Sequence, residues 1–508
     1  MKTDVCLITE GTYPYVYGGV SSWIHNLVTS MADVTFSVVN ISSLGDTLRT
    51  PKYEIPANIL EFKEVFVHDY VETTAKTGGR SVQAWKALRE FYADLEKSDF
   101  ARFEEFYRQF IDKRTRAVSV KDVIRSKESW KLLTEYFVQT AGDASFADYF
   151  WTMRFIHAPI LKIFDAPIPD AGVYHALCTG YAGLLAVLAK LEKKSPVVLT
   201  EHGIYTHERK IEIGKAKWIY SPEEKANRAT ASLGYLKDLW IKKFEGLGRL
   251  SYHYADRIVT LFEGNRRMQI EAGADPSKIE IIPNGTVIPQ NPRPPYDDKN
   301  PSPTIAFVGR IVPIKDVKTF IRAVKILSER VKEMRVYILG PGDEDEKYFE
   351  ECQVLVEMLN LQDAVVFTGN VDVNEYYPRV DVTVLTSISE AQPLSILEAM
   401  SYGVPVVASD VGGCRELVHG GTEEDRTLGP AGIITAAGNP YETAGAIGKI
   451  LENKKLWMNL SRAGRARVAR YYDKASMISG YQALYESYLG STRGEGAPGR
   501  LTVEREVS

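Results

Sequence analysis

Two carboxylates, Glu390 and Glu398, are separated by seven residues in the run from Ser389 to Met400. Between them stand Pro393, Leu394 and Ser395, and a proline suits the first position of a helix. Glu390 is then in the loop ahead of that helix and Glu398 on its second turn, with unpaired backbone N–H groups between them. Two acceptors for hydroxyls beside an anion-binding helix end form a layout that holds a nucleotide sugar. The same residues also fit a capping acid followed by a surface acid. Upstream, Gly309-Arg310-Ile311-Val312-Pro313-Ile314-Lys315-Asp316 follows an apolar run, at a strand end where open α/β sheets place ligands. Arg310 as a planar fork and Lys315 as a point charge suit a phosphorylated group, although two loop cations also make an ordinary solvated surface. A third candidate is Gly18-Gly19, between the first apolar run and the first helical stretch. Such a pair permits positive φ and close approach of backbone to ligand, with helix N–H groups beyond it for an anion. It lacks the dinucleotide G-x-G-x-x-G spacing, and a plain flexible turn explains it equally.

These candidates need strand ends to carry them. Short β-branched runs occur at 5–8, 34–39, 173–176, 197–200, 257–260 and 279–282, then at 304–308, 335–339, 365–367, 382–385 and 405–408. Amphipathic stretches of helical length lie between many of them, the alternation of βαβ units and a parallel sheet. The fold class is therefore α/β with two Rossmann-like, doubly wound domains, at 1–288 and 304–470. Prolines crowd the segment 289–303, which reads as a linker. Residues from about 81 to 164 show helical character and many aromatics, among them Trp85, Phe91, Phe103, Phe106, Trp130 and Trp151, and read as a helical insertion with an aromatic core. A helix over 471–490, carrying Ile478, Tyr481, Leu484 and Tyr485 as a stripe, is expected to pack back on the first domain, ahead of a disordered tail at 491–508.

With 508 residues, 44% of them hydrophobic, the chain fills two or three domains at about 150 residues each. Its net charge of −4 removes the broad basic footprint of a nucleic-acid binder. Cys6, Cys178, Cys352 and Cys414 lie far apart in sequence and read as reduced, buried small hydrophobes. His25, His68, His157 and His175 have no zinc spacing, and His202 with His207 lacks a third ligand. Arg462, Arg465, Arg467 and Arg470 read as a solvated helix face. No apolar run has the length of a membrane span and the N-terminus has no signal pattern, so a soluble cytoplasmic protein is expected.

The candidate motifs occur together with Thr200-Glu201-His202-Gly203, Ala255-Asp256-Arg257-Ile258-Val259, Ile282-Pro283-Asn284-Gly285 and Tyr402-Gly403-Val404-Pro405-Val406-Val407. In this order the set resembles glycosyltransferase family 4, the retaining enzymes of the GT-B fold, in which two Rossmann-like domains face a cleft. The opening from Asp4 to Trp23, the segment Glu201-His202-Gly203-Ile204-Tyr205, and Ala391-Gln392-Pro393-Leu394 where many relatives carry a Gly-Phe-Gly type sequence resemble the branch that serves bacterial Pel exopolysaccharide synthesis.

The resemblance implies a UDP-sugar donor, UDP-glucose or UDP-N-acetylgalactosamine, and a polysaccharide or oligosaccharide acceptor. It implies that Arg310 and Lys315 neutralise the diphosphate without a metal, so no cofactor is expected, and that Gly18 and Gly19 approach the same phosphates from the other domain. Glu398 would accept from the ribose, Glu390 would face the donor sugar with Pro393, Leu394 and Ser395, His202 would sit beside that sugar, and Asn370 with Val371 would lie near the base. Inner-membrane synthase subunits are the implied partners. A UDP-sugar epimerase or hydrolase of the same fold, and a non-catalytic UDP-binding scaffold subunit, are the alternatives.

Overall fold

Runs that are apolar on both faces, joined by amphipathic stretches, can bury themselves only in parallel sheets covered by helices on two sides. The computed structural model has this architecture, and it describes residues 2–11, 13–43, 50–68, 81–97, 99–118, 122–123, 126–140, 144–215, 234–290, 292 and 302–490. Most of the expected linker, and the expected disordered tail, lie outside the described residues.

The first sheet comprises β1 (Thr3–Glu10), β2 (Phe36–Ser42), β3 (Ile59–Phe66), β4 (Ala171–Ala176), β5 (Val197–Glu201), β6 (Arg257–Thr260) and β7 (Ile279–Ile281). The second comprises β8 (Thr304–Val308), β9 (Arg335–Leu339), β10 (Val365–Gly369), β11 (Val382–Leu385), β12 (Val406–Ser409) and β13 (Gly432–Thr435). Their orders are β3-β2-β1-β4-β5-β6-β7 and β10-β9-β8-β11-β12-β13, with every pairing parallel. Both sheets thus reverse their winding between the first strand and the fourth, so each has a switch point where connections leave in opposite directions and open a crevice. Sequence reading misses β3 and β13, which both lie at sheet edges. β3 carries Glu61, Lys63 and Glu64 among its apolar residues instead of running apolar, and β13 is only four residues long.

Between β3 and β4 the helices Val82–Lys97, Lys127–Thr140 and Phe146–Phe164 build the expected helical region. Phe91 stacks on Phe106 at 4.2 Å, and Trp85, Phe103 and Tyr107 are buried beside them. Two members of the expected aromatic core, Trp130 and Trp151, are not core residues: each is 53% exposed. The helix Lys127–Thr140 has no fully buried residue and forms an outer layer, with Trp130 against Phe146 and Phe150 of the neighbouring helix. Cys6, Cys352 and Cys414 are buried thiols, whereas Cys178 is half-buried.

The last helix, Lys474–Leu489, crosses to the first sheet. Met477, Ile478, Tyr481, Leu484 and Tyr485 join a core containing Val5, Leu7, Val173 and Val198. His175 sits beneath it in β4, with Nδ1 2.6 Å from the Tyr485 hydroxyl and Nε2 2.7 Å from Thr200 Oγ1. Among the described residues no helix is long and apolar enough to cross a membrane.

One arginine departs from its expected solvated face. Arg467, on the helix Lys454–Tyr471, is fully buried, and it donates to Asp425 Oδ1 (2.6 Å) and to the carbonyls of Val418 (2.8 Å) and Gly429 (2.7 Å). Its neighbour Arg470 pairs with Glu424 at the surface. Removing one member of a buried, hydrogen-bonded pair leaves the other charge unpaired, whereas surface pairs contribute little. Arg467→Ala should lower unfolding free energy by about 3–5 kcal/mol in denaturant titration and Arg470→Ala by less than about 1 kcal/mol; equal effects would refute this assignment of burial.

Candidate active site

The carboxyl ends of the second sheet carry most of the candidate residues. After β8, Lys315 is followed by Asp316, whose φ of 45° is unusual for a residue with a side chain. Asp316 is held there because its carboxylate caps the helix Val317–Leu327 by accepting from the Thr319 N–H, while Thr386 Oγ1 donates to its carbonyl at 2.9 Å. This turn aims Lys315 at the loop after β11. There its Nζ donates to Glu390 Oε1 at 2.5 Å, and Ser387 Oγ donates to the same oxygen at 2.6 Å. The two candidates therefore form one ion pair, largely shielded from solvent. Arg310 is paired through one guanidinium nitrogen with Glu344 on the loop after β9.

Pro393 takes the cap position rather than the first helical position, because its ψ of 123° is extended; the helix spans Leu394–Tyr402. Glu398 lies on the second turn of that helix and accepts from the Tyr377 hydroxyl at 3.1 Å, while the same hydroxyl approaches the Ser395 carbonyl at 3.3 Å. Burial pushes the Glu398 carboxyl above its ordinary range and the Tyr377 bond opposes that shift. Asn370 is exposed and Val371 half-buried just beyond β10, after Gly369 with φ 68°. Among the described residues no group of three His, Cys, Asp or Glu side chains is arranged to hold a metal ion.

On the first sheet, Gly18 precedes the helix Gly19–Ser30. The expectation of positive φ at this pair is not met: Gly18 has φ 177°, ordinary extended backbone, and Gly19 is the first helical residue. A Cβ built on either glycine would meet no atom within 4 Å. Neither packing nor backbone geometry demands glycine at these two positions. The structure brings neither glycine into contact with the second sheet's candidates.

His202 follows β5 and lies edge-on to Trp23, with ring centroids 4.7 Å apart. Burial lowers its pKa to about 4, so the ring is neutral near pH 7. The preceding Glu201 is fully buried and accepts from Tyr252 (2.5 Å), Thr179 (3.0 Å) and Gln269 (3.0 Å), while the His202 carbonyl accepts from Asn265 at 3.0 Å. These bonds fix the loop carrying His202. Glu208 lies next to it, with Oε1 2.2 Å from where a Cβ on Gly203 would stand, and desolvation raises its carboxyl to about 7.

The two halves of the site meet at a measurable point. A Cβ on Gly203 would lie 3.7 Å from Ala391 Cβ, so the His202-Gly203 turn faces the Glu390-Ala391 turn across the crevice. Three residues outside the expected set hold this meeting. Gln392 Oε1 accepts from the Asn284 N–H at 2.7 Å, and the Glu416 carboxylate accepts from the N–H groups of Glu263 and Gly264 at 3.3 and 3.0 Å. Asn284 lies within the Ile-Pro-Asn-Gly motif and Gln392 within the run from Ser389 to Met400; Glu416 has no signal in the sequence.

Comparison with known proteins follows the same division. A family profile described as a domain of unknown function, DUF3492, matches residues 3–277, and one described as glycosyl transferases group 1 matches residues 302–453. An uncharacterized glycosyltransferase of Haemophilus influenzae is 26% identical over 212 residues, 41% of this chain and 56% of that protein. A D-inositol 3-phosphate glycosyltransferase of Kineococcus radiotolerans is 31% identical over 232 residues, 42% of this chain and 53% of that protein. The chain thus spans a little over half the length of these relatives. The MMP alpha-(1->4)-mannosyltransferase of Mycolicibacterium hassiacum is 23% identical over 425 residues, covering 81% and 95% of the two chains. Among solved structures, sucrose-phosphate synthase from Thermosynechococcus elongatus superposes with a TM-score of 0.57 at 16% identity over 96% of this chain and 99% of that one. Anabaena HepE, solved with UDP and glucose, gives 0.54 at 13% identity over 96% and 100%. The fold is GT-B.

The two histidines under this site carry a pH dependence. Burial depresses His175 to about 3 and His202 to about 4, from an ordinary 6.5. The unfolded chain therefore binds protons that the folded one refuses, and stability is lost as pH falls from about 6.5 toward 4. The urea midpoint should drop between pH 7 and pH 5, and His175→Gln should flatten part of that slope; a midpoint insensitive to pH in this window would contradict it.

Proposed function

We propose that this chain, which belongs to the DUF3492 family through residues 3–277, is a retaining glycosyltransferase that moves a hexose from a UDP-sugar to a growing exopolysaccharide. The observation that carries this reading is the Lys315–Glu390 pair at the switch point of the second sheet, facing the His202 turn of the first. The group 1 glycosyltransferase match over the second domain supports it. UDP-glucose or UDP-N-acetylgalactosamine is the donor, and the resemblance to the Pel exopolysaccharide branch points to a PelF-like role. Inner-membrane synthase subunits are the partners in that reading.

Each residue has a physical task. The diphosphate takes Arg310 from Glu344 and shares Lys315 with Glu390. The ribose hydroxyls bond Glu398, the base lies by Asn370 and Val371, and the N–H groups of Leu394 and Ser395 face the donor. Gly18 and Gly19 leave room for the phosphates to approach from the first domain. Neutral His202 hydrogen-bonds the donor sugar without adding charge. The acceptor hydroxyl attacks C1 from the face of the departing phosphate as the C1–O bond breaks. The electron pair leaves with UDP, and the hydroxyl proton passes to the leaving phosphate oxygen. Charge developing on UDP meets cations already positioned, which is where preorganised electrostatics lowers a barrier. No side-chain nucleophile takes part, and no metal is required.

Isothermal titration with UDP tests the site. Arg310→Ala and Glu398→Ala should each weaken UDP at least tenfold, about 1.4 kcal/mol, with the fold intact by circular dichroism. Unchanged affinity in both removes the site assignment. Release of UDP across a panel of UDP-sugars, with the anomeric configuration of the product read by proton NMR, tests the reaction; wild-type protein that neither binds UDP nor releases it sinks the enzyme reading.

A further inference from the structure

We infer that Gln392 is a positioning residue: its carboxamide clasps the two domains together and so sets where Glu390 stands relative to His202. This rests on the reading of Glu390 as a ligand of the donor sugar. Gln392 is 5% exposed, on the loop after β11. Its Oε1 accepts from the Asn284 N–H at 2.7 Å and its Nε2 donates to the Leu261 carbonyl at 3.2 Å. Its own carbonyl accepts from Asn284 Nδ2 at 3.1 Å. Only one orientation of the amide satisfies both first-domain partners, since one is a donor and the other an acceptor. Three hydrogen bonds therefore run from a two-residue neighbour of Glu390 to the loops after β6 and β7, in a buried place where an unmade bond is costly.

The other side of the same loop is fixed to the second domain. The Gly413 N–H donates to the Ala391 carbonyl at 2.6 Å. Gly412, with φ 51°, lies so close that a Cβ on it would stand 1.8 Å from the Glu390 carbonyl oxygen. The short helix that follows carries Glu416, the carboxylate that caps the first-domain helix Glu263–Glu271. The segment 390–392 is thus held between both domains, and no side chain could be inserted on its second-domain face.

The partition of bonds separates two kinds of effect. Lys315–Glu390 and Tyr377–Glu398 have both members within the second domain. Drawing the domains apart breaks the Gln392 bonds and leaves those pairs intact. Loss of the clasp therefore lowers turnover, by letting the donor sugar drift from His202, without weakening UDP.

The test compares wild type with Gln392→Ala, Gln392→Glu and Asn284→Ala, plus the double variant of the two alanines. Gln392→Glu keeps the size and the acceptor for the Asn284 N–H but turns an acceptor toward the Leu261 carbonyl. Expected are a kcat at least tenfold lower in both Gln392 variants, a UDP affinity within twofold of wild type, and a double variant at least as slow as the slower single one, because the two alanines remove different hydrogen bonds of the clasp. Small-angle scattering without any nucleotide should show an expanded radius of gyration in both Gln392 variants. A folded Gln392→Ala protein with wild-type kcat, or with wild-type dimensions, overturns the inference. So does a parallel loss of kcat and UDP affinity, which would mark general loosening. Wild-type protein that binds no UDP, with variants that still expand, overturns the glycosyltransferase reading and leaves the clasp standing.

Discussion

Both sheets are parallel and buried on two faces, and this leaves polar chemistry one place to go. A strand whose side chains are covered above and below cannot carry a lysine or glutamate in its middle without a partner for the charge. Charged and glycine residues therefore collect where the strands end, and the winding order decides which end opens into a crevice. Glu390, Lys315 and Arg310 follow β11 and β8. His202 follows β5, and Gly18 follows β1. A site between two such sheets results from the burial rule before any particular side chain is chosen.

What distinguishes this crevice is that its charges are already paired. Lys315 meets Glu390, Arg310 meets Glu344, and Glu398 meets the Tyr377 hydroxyl. Partners of this kind keep long side chains in place. His202 is the neutral member, because the protein around it disfavours the charged ring. The buried Glu201 beneath it, satisfied by three side-chain donors, makes its turn rigid without adding anything the ligand could touch.

The crevice is held at its present width by polar contacts rather than by a hydrophobic interface alone. The Gln392 bonds and the Glu416 cap are directional and few, and the last helix ties the end of the chain to the first sheet through Tyr481 and Tyr485. Directional contacts of this number can open and reform, whereas extensive apolar burial would lock the two halves.

Composition and periodicity alone determined that the chain forms two parallel α/β domains, because an apolar run flanked by amphipathic stretches has few other ways to be buried. They also placed Arg310 and Lys315 past a strand end, Glu390 in the loop before a helix and Glu398 on its second turn, since those residues sit within local motifs whose spacing is readable. The edge strands β3 and β13 were hidden, β3 because charged residues interrupt its apolar ones and β13 because it is a short Gly-Ile-Ile-Thr segment. Arg467 was read as solvated because nothing local announces Asp425, Val418 and Gly429 around it. Trp130 and Trp151 were read as core because burial is a property of the neighbouring helix, not of the tryptophan. Only the tertiary structure decided that Lys315 pairs with Glu390, that Tyr377 bonds Glu398, and that Gln392 and Glu416 reach the first domain. Each of these contacts joins residues tens of positions apart or more, and distance in sequence carries no direction in space.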